Sequence, residues 1–241
     1  MIKKTDKNLP LLHIVTPVYN EGDNFPELYR QVSQIKTPHE LIVVYDFDED
    51  NTVPVVKRFQ KKDEQLILRK NNRGRGALGA LLSGFDYVKD GPLLVIMADL
   101  CDDLTMVDKM YAEYQKGATV VCPSRYMPGG RQLGGSLFKR TLSRLAGTSL
   151  YWIRRIPTHD VTNSFRLYDK AFIDSIEIES TGGFDVTMEI TVKAFIQGKK
   201  IVELPTTWRD RTAGESNFQL RKWLPSYLHW YLYALRPRAK N

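Results

Sequence analysis

The 241-residue sequence predicts an α/β fold, with a mostly parallel central sheet and helices on both faces. Three observations lead there. Short apolar runs alternate with helical stretches through the first half of the chain. Those runs are apolar throughout, as strands covered on both faces are. The strongest of them stop in acidic or polar clusters, and open parallel sheets place their ligands beyond the carboxyl ends of their strands. Composition agrees, since 42% hydrophobic and 26% charged residues suit a chain with a real core and exclude disorder of the whole.

The elements follow in order. Leu11 to Val15 reads as the first strand, ended by Pro17 and the polar stretch Asn20 to Asn24, with a helix over Phe25 to Ile35. Leu41 to Tyr45 reads as a buried strand that runs into Asp46, Asp48, Glu49 and Asp50. A helix over Val53 to Lys61 and a short strand over Leu66 to Leu68 lead to the basic, glycine-rich turn Arg69 to Gly76. Small and apolar residues then predict a helix over Ala77 to Val88, broken by Gly91 and Pro92. Leu93 to Ala98 is the most apolar strand and ends in Asp99, Asp102 and Asp103. A helix over Val107 to Gln115 and a strand over Thr119 to Pro123 complete the regular half.

The second half is less regular. Gly129 to Gly135 reads as a loop, Leu137 to Ile153 as a helix rich in Arg and Leu, and Asp160 to Tyr168 as a turn into a strand. Gly182 and Gly183 open a helix over Val186 to Gln197, and Lys200 to Leu204 reads as a strand stopped by Pro205. There is no internal repeat, low-complexity tract or clear linker.

Net charge is +7 and is concentrated at the end, where from Arg209 onward seven basic residues face Asp210 and Glu215. Such an excess is either a solvated basic face or an attraction for anionic lipid, phosphorylated substrate or nucleic acid. The absence of any recognition motif argues against nucleic acid. Cys101 and Cys122 match no metal spacing or disulfide framework, which points to a reduced, cytosolic setting. The short polar N-terminus, Met1 to Asn8, is not followed by the apolar region of a signal peptide, so none is expected, and no run of about 18 apolar residues predicts a spanning helix. Trp223 to Leu235 is dense in Trp, Tyr and Leu, with Arg221 and Lys222 before it and Arg236, Arg238 and Lys240 after. That pattern suits the membrane–water interface, so the expected location is cytoplasmic, peripheral at the inner face of a membrane. The alternative is that this segment packs on the domain or on a partner chain, a homo-oligomer included.

Eight strings carry a resemblance. They are TPVYNE (Thr16 to Glu21), VVYDFDEDNT (Val43 to Thr52), RGRGALGALLSG (Arg73 to Gly84), MADLCDD (Met97 to Asp103), PSRYMPGG (Pro123 to Gly130), DVTNSFRLY (Asp160 to Tyr168), GGFDVTMEI (Gly182 to Ile190) and WRDRTAGES (Trp208 to Ser216). In this order the chain resembles the family 2 glycosyltransferases, and within them the dolichyl- or polyprenyl-phosphate mannose synthase group. The resemblance implies a GT-A type nucleotide-binding fold over 1–218, followed by an amphipathic aromatic and basic segment over 219–241. It also implies inverting transfer of a sugar from a GDP- or UDP-sugar to a lipid phosphate, or to a glycan hydroxyl as the alternative.

Roles follow by position within those strings. Pro17, Tyr19 and Glu21 resemble the family's base- and ribose-binding loop. Asp46 resembles the second acid of a pair that accepts from the base, while Tyr45 replaces the first. Asp50 is either a further ligand acid or a helix cap. Arg73, Gly74, Arg75 and Gly76 line the donor pocket, the glycines allowing close approach and the arginines offering phosphate contacts. The family's Asp-x-Asp motif holds Mg²⁺ or Mn²⁺, but here it reads Met97-Ala98-Asp99. Asp99 then keeps the metal, with Asp102 or Asp103 compensating, and the Cys101 thiol suits Mg²⁺ poorly. The missing acid also motivates a non-catalytic, nucleotide-binding alternative. Arg125 and Arg211, with Arg140 or Arg144 as a third, resemble the arginines that bind lipid phosphate and donor diphosphate. A phosphate acceptor needs no strong base, whereas a hydroxyl acceptor needs a carboxylate, for which Asp185 and Glu189 are candidates on one helical face. Alternatively Glu189 pairs with an arginine and only shapes the site. Asp160 and Arg166 are matched by resemblance alone, and Ser164 and Asn217 depart from the family's glycine and lysine.

Overall fold

A computed structural model describes residues 9–181, 183–210 and 220–237, with side chains from 224 onward in the last stretch. In chain order its strands are β1 (Leu12–Val18), β2 (His39–Tyr45), β3 (Leu66–Lys70), β4 (Pro92–Val95), β5 (Val120–Ser124), β6 (Arg131–Leu133), β7 (Arg166–Asp169), β8 (Ile201–Pro205) and β9 (Thr207–Arg209). Seven of them form one sheet in the order β3-β2-β1-β4-β7-β5-β8, and β6 pairs with β9 apart from it. The contacts β1–β2, β1–β4, β2–β3 and β5–β8 are parallel. Only β7 is reversed in this sheet, running antiparallel to both β4 and β5.

The helices are α1 (Phe25–Val32), α2 (Thr52–Gln60), α3 (Ala77–Tyr87), α4 (Val107–Gln115), α5 (Leu137–Arg154), α6 (Lys170–Asp174), α7 (Val186–Ile196) and α8 (Leu220–Ala234). They cover both faces of the sheet. Successive strand residues point to opposite sides. Ile14 and Val43 therefore join the core with Leu28 of α1, Val56 of α2 and Met110 of α4. Val15 and Ile42 join the other core with Leu81 of α3, Ile190 of α7 and Trp230 of α8. Burial on both faces explains why these strands read as unbroken apolar runs. Helix α3 lies close because Gly84 has no side chain, and a Cβ there would sit 2.4 Å from Val15 Cγ1.

The predicted alternation is present, with two differences. Leu93 to Ala98 leaves the sheet after Val95, because Met97 N donates to Asp102 Oδ2 at 3.2 Å and turns the chain into the acid loop. The aromatic C-terminal segment is a helix whose inner side docks on the body. Trp230 Nε1 donates to Ser180 Oγ at 3.1 Å, and Ser149 of α5 bonds the Tyr231 hydroxyl at 2.9 Å. Among the described residues no helix is long and apolar enough to cross a membrane.

Candidate active site

The carboxyl ends of β1, β2, β4 and β5 open into a single cleft of about 1780 Å³. Pro17, Tyr19, Glu21, Asp46, Arg73 and Gly76 line it on one side, and Asp99, Asp102 and Arg125 line it further in.

The first loop is fixed by the loop after β2. Asn20 N donates to Asp50 Oδ2 at 3.0 Å, Glu21 N to Thr52 Oγ1 at 2.9 Å, and Gly22 N to Asn51 Oδ1 at 2.8 Å. Asp50 is fully buried and also accepts from Thr52 N at 2.8 Å, so it joins the two loops and lies outside the cleft lining.

Asp46 pins the glycine-rich turn. Its Oδ1 accepts from Asn71 Nδ2 at 2.6 Å and its Oδ2 from Gly76 N at 2.8 Å. Gly74 and Gly76 have φ of 97° and 112°, a region only glycine enters freely. Arg73 departs from expectation. Its Nε and Nη2 grip Asp86 of α3 at 2.6 and 2.8 Å, so this guanidinium anchors the turn rather than presenting a free fork. Arg75 has no carboxylate partner among the described residues and lies 5.8 Å from the Phe47 ring centroid.

The acid loop holds Asp99 and Asp102 near each other. Asp99 Oδ1 accepts from Cys101 N at 3.2 Å. Asp102 is buried, and its carboxyl is pushed up to about 7, first by burial and then by the charge of Asp99. Met97 lines the cleft but offers no hard ligand, and the Cys101 thiol is buried and turned to Asp99 O. Among the described residues no three His, Cys, Asp or Glu side chains converge as a metal cage. Mg²⁺ and Mn²⁺ need no such cage when substrate phosphates and water complete their coordination. Asp99 and Asp102, both in the cleft lining, offer the carboxylate oxygens that such a hard divalent ion prefers.

Arg125 is held by the loop before β7. Its Nε and Nη2 donate to Asp160 at 2.7 and 2.9 Å, and Nη2 reaches Thr162 Oγ1 at 3.2 Å. Asp160 is fully buried; burial opposes its charge, yet the Arg125 guanidinium holds its carboxyl below the usual range. Arg166 is buried within the same loop, donating to Asn163 O at 2.9 Å and to Thr191 and the Asp160 carbonyl, and shapes the site from behind.

Beyond Arg125 the cleft continues between α5 and α8. Lys139 and Arg140 line it in the first turn of α5, which Ser136 caps, whereas Arg144 does not line it. Leu142, Leu145, Phe184, Met188, Leu224 and Leu228 then give it apolar walls. Sequence reasoning missed Lys139 and Tyr126, which line the cleft, and Asn71, which holds Asp46 from outside it. A basic pair just after a Ser cap was the available signal for Lys139, and nothing local marked the other two.

The two candidate bases lie elsewhere. Glu189 is fully buried, accepts from Glu179 N at 2.6 Å and Ser180 N at 2.9 Å, and pairs with Lys193 at 2.7 Å. It ties α7 to the preceding loop and does not line the cleft, so the expectation of a general base is corrected to a structural ion pair. Asp185 is also fully buried and outside the cleft lining; it accepts from Ser226 of α8. Arg211 and the residues to Ser216 lie outside the described residues, as do Arg238, Lys240 and the side chains of Arg221, Lys222 and Trp223.

A largely parallel sheet with its donor loops, acid loop and arginine on one rim defines a GT-A type fold. Residues 13–176 match the family described as glycosyl transferase family 2. The chain belongs to that family and is a glycosyltransferase. It is 25% identical over 237 residues to the polyprenol monophosphomannose synthase of Mycolicibacterium smegmatis, covering 95% of this chain and 89% of that protein. It is 26% identical over 212 residues to the dolichol-phosphate mannosyltransferase of Pyrococcus furiosus, covering 86% of this chain and only 58% of that protein's length. Glucosyl-3-phosphoglycerate synthase from Mycobacterium tuberculosis, solved with Mn²⁺, uridine diphosphate and glucosyl-3-phosphoglycerate, has a TM-score of 0.68 at 13% identity. That match covers 93% of this chain and 79% of the other, and it supports the fold.

Proposed function

We propose that this glycosyltransferase moves a sugar, with inversion, from a GDP- or UDP-sugar to the phosphate of a polyprenyl lipid. One observation carries the reading. The cleft runs unbroken from the acid loop, past Arg125, Lys139 and Arg140, into an apolar groove between α5 and α8. A phosphate on a long isoprenoid chain has that sequence of charge and greasiness. The names of the two relatives support the same acceptor class.

In this reading the loop of Pro17, Tyr19 and Glu21 receives the base and ribose, and Asp46 keeps the glycine-rich turn open for the diphosphate. Asp99 and Asp102 would hold Mg²⁺ or Mn²⁺, which when bound would supply charge neutralisation to the leaving diphosphate. Arg125, fixed by Asp160, orients anionic oxygens, and Arg211 is a further candidate for that task. A lipid phosphate is already an anion, so attack at the sugar carbon rests on positioning and charge stabilisation. A glycan hydroxyl would need a base, and neither Asp185 nor Glu189 lines the cleft.

The same two helices suggest where the protein works. Leu224, Leu228 and Leu232 are exposed along α8 and Leu235 just past its end, and Phe138, Leu145 and Trp152 are exposed along α5. Apolar stripes flanked by basic residues suit the plane of a bilayer. The segment 219–241 is thus read as a membrane-contacting element of a peripheral protein at the cytoplasmic face. The test is incubation with radiolabelled GDP- or UDP-sugars and vesicles containing undecaprenyl phosphate. Lipid-extractable label is expected, with a raised KM for the lipid in Lys139→Ala/Arg140→Ala. Label transferred only to a saccharide acceptor would overturn the proposal.

A further inference from the structure

We propose that Phe47 is a positioning residue of the donor half, seating Tyr19 and Arg75 as one row that takes the nucleoside diphosphate; the inference rests on the nucleotide-sugar reading above. Three separate segments build the row. Tyr19 comes from the loop after β1, lines the cleft and is 57% exposed. Phe47 comes from the loop after β2 and meets Tyr19 edge to face, with centroids 5.5 Å apart at 65°. Arg75 comes from the glycine-rich turn, lines the cleft, and sits 5.8 Å from the Phe47 centroid.

Phe47 itself does not line the cleft, so any effect it has on the donor passes through its neighbours. Its carbonyl accepts from Asp50 N at 3.2 Å, and the residues on either side of it are tied by their side chains. Asp46 bonds Gly76 N at 2.8 Å, and Asp48 pairs with Lys70 at 2.5 Å. The ring therefore stands at a fixed place between an exposed aromatic and a guanidinium that has no carboxylate partner among the described residues. An exposed aromatic face stacks any base. A guanidinium seated on a ring is already oriented for bidentate contact with a diphosphate. Arg73, which the glycine-rich turn equally offers, is committed to Asp86 at 2.6 Å, and this leaves Arg75 as the arginine of the turn for that contact.

The experiment is calorimetric titration of the full chain with GDP and with UDP in the presence of Mn²⁺, alongside donor kinetics. Phe47→Leu, which keeps apolar bulk and removes the ring, is expected to raise Kd about fivefold, Arg75→Met about tenfold, and Phe47→Tyr less than about twofold. In a Tyr19→Ala/Arg75→Met background, Phe47→Leu should add nothing. Donor KM should rise with kcat at saturation unchanged. Wild-type affinity in Phe47→Leu overturns the inference while leaving the nucleotide-sugar reading intact. So does a Phe47→Tyr variant that loses affinity together with thermal stability, because Phe47 would then be packing alone. Failure of the unaltered protein to bind either nucleotide overturns both.

Discussion

Glu189→Gln separates architecture from chemistry, because the sequence offers Glu189 as a base and the structure buries it. The carboxylate is fully buried and has three donors: Glu179 N, Ser180 N and Lys193 Nζ. Removing one partner of a buried ion pair costs about 3–5 kcal/mol when the other charge is stranded. Here Lys193 keeps Glu179 Oε1 at 2.6 Å and the Glu177 carbonyl at 2.5 Å, and glutamine still presents one acceptor oxygen. The loss should therefore be smaller, about 2 kcal/mol, which for a chain of this size lowers Tm by about 4–8 °C. Differential scanning calorimetry gives the shift, and transfer assays well below the lowered midpoint give kcat, which should stay near wild type. A variant that melts as the wild type does yet no longer transfers sugar would refute this assignment and restore Glu189 as a base.

Further outcomes follow from the same contacts. Gly79→Ala brings a Cβ to within 1.8 Å of the Gly74 carbonyl oxygen, so the glycine-rich turn must shift; nucleotide affinity should fall by about 1–3 kcal/mol in calorimetric titration. Asp160 has its carboxyl held low, so its pair with Arg125 contributes stability above about pH 4 that is lost as pH falls through the lowered value. Urea midpoints measured from pH 6 down to pH 3 should drop less steeply in Asp160→Asn than in the wild type. Leu232→Glu/Leu235→Glu replaces two exposed side chains, near and just past the end of α8 and outside the cleft lining, and should lower affinity for anionic vesicles at least about tenfold by sedimentation, with soluble nucleotide binding unchanged.

Much of this was legible in the chain, for physical reasons that differ by region. Strands β1, β2 and β4 are covered on both faces, so each position must be apolar and the run stands out without an alignment. Their ends stand out too, because carboxylates following such runs have nowhere to go but the rim. Asp46, Asp99 and Asp102 are placed at the rim by this pattern, and the structure has all three in the cleft lining. Direction is another matter: nothing in Arg166–Asp169 says that β7 runs against its neighbours, since antiparallel pairing depends on where the preceding loop returns. Partner choice was equally hidden. Arg73 and Arg75 are two residues apart and each is followed by a glycine, yet only the former meets Asp86, a residue of α3. Glu189 and Lys193 stand one helical turn apart, and that spacing could have signalled the ion pair over the base.

The reversed strand has one more consequence. A parallel strand offers the rim the residues that follow it, and a helix must then carry the chain back. Strand β7 offers instead the residues that precede it, so 155–165 arrives beside the acid loop with no returning helix to brace it. Bracing comes from α5, whose Tyr151 ring stacks on His159 at 3.7 Å, and from individual polar contacts, with Asp160 gripping Arg125 and His159 Nδ1 meeting Glu203 at 2.8 Å. A stretch held that way has little slack. Adding or removing one residue there would carry Asp160 off its arginine, while the loops that lead into the amino ends of β2, β3, β4 and β5 lie outside the cleft lining and can change length without touching the chemistry.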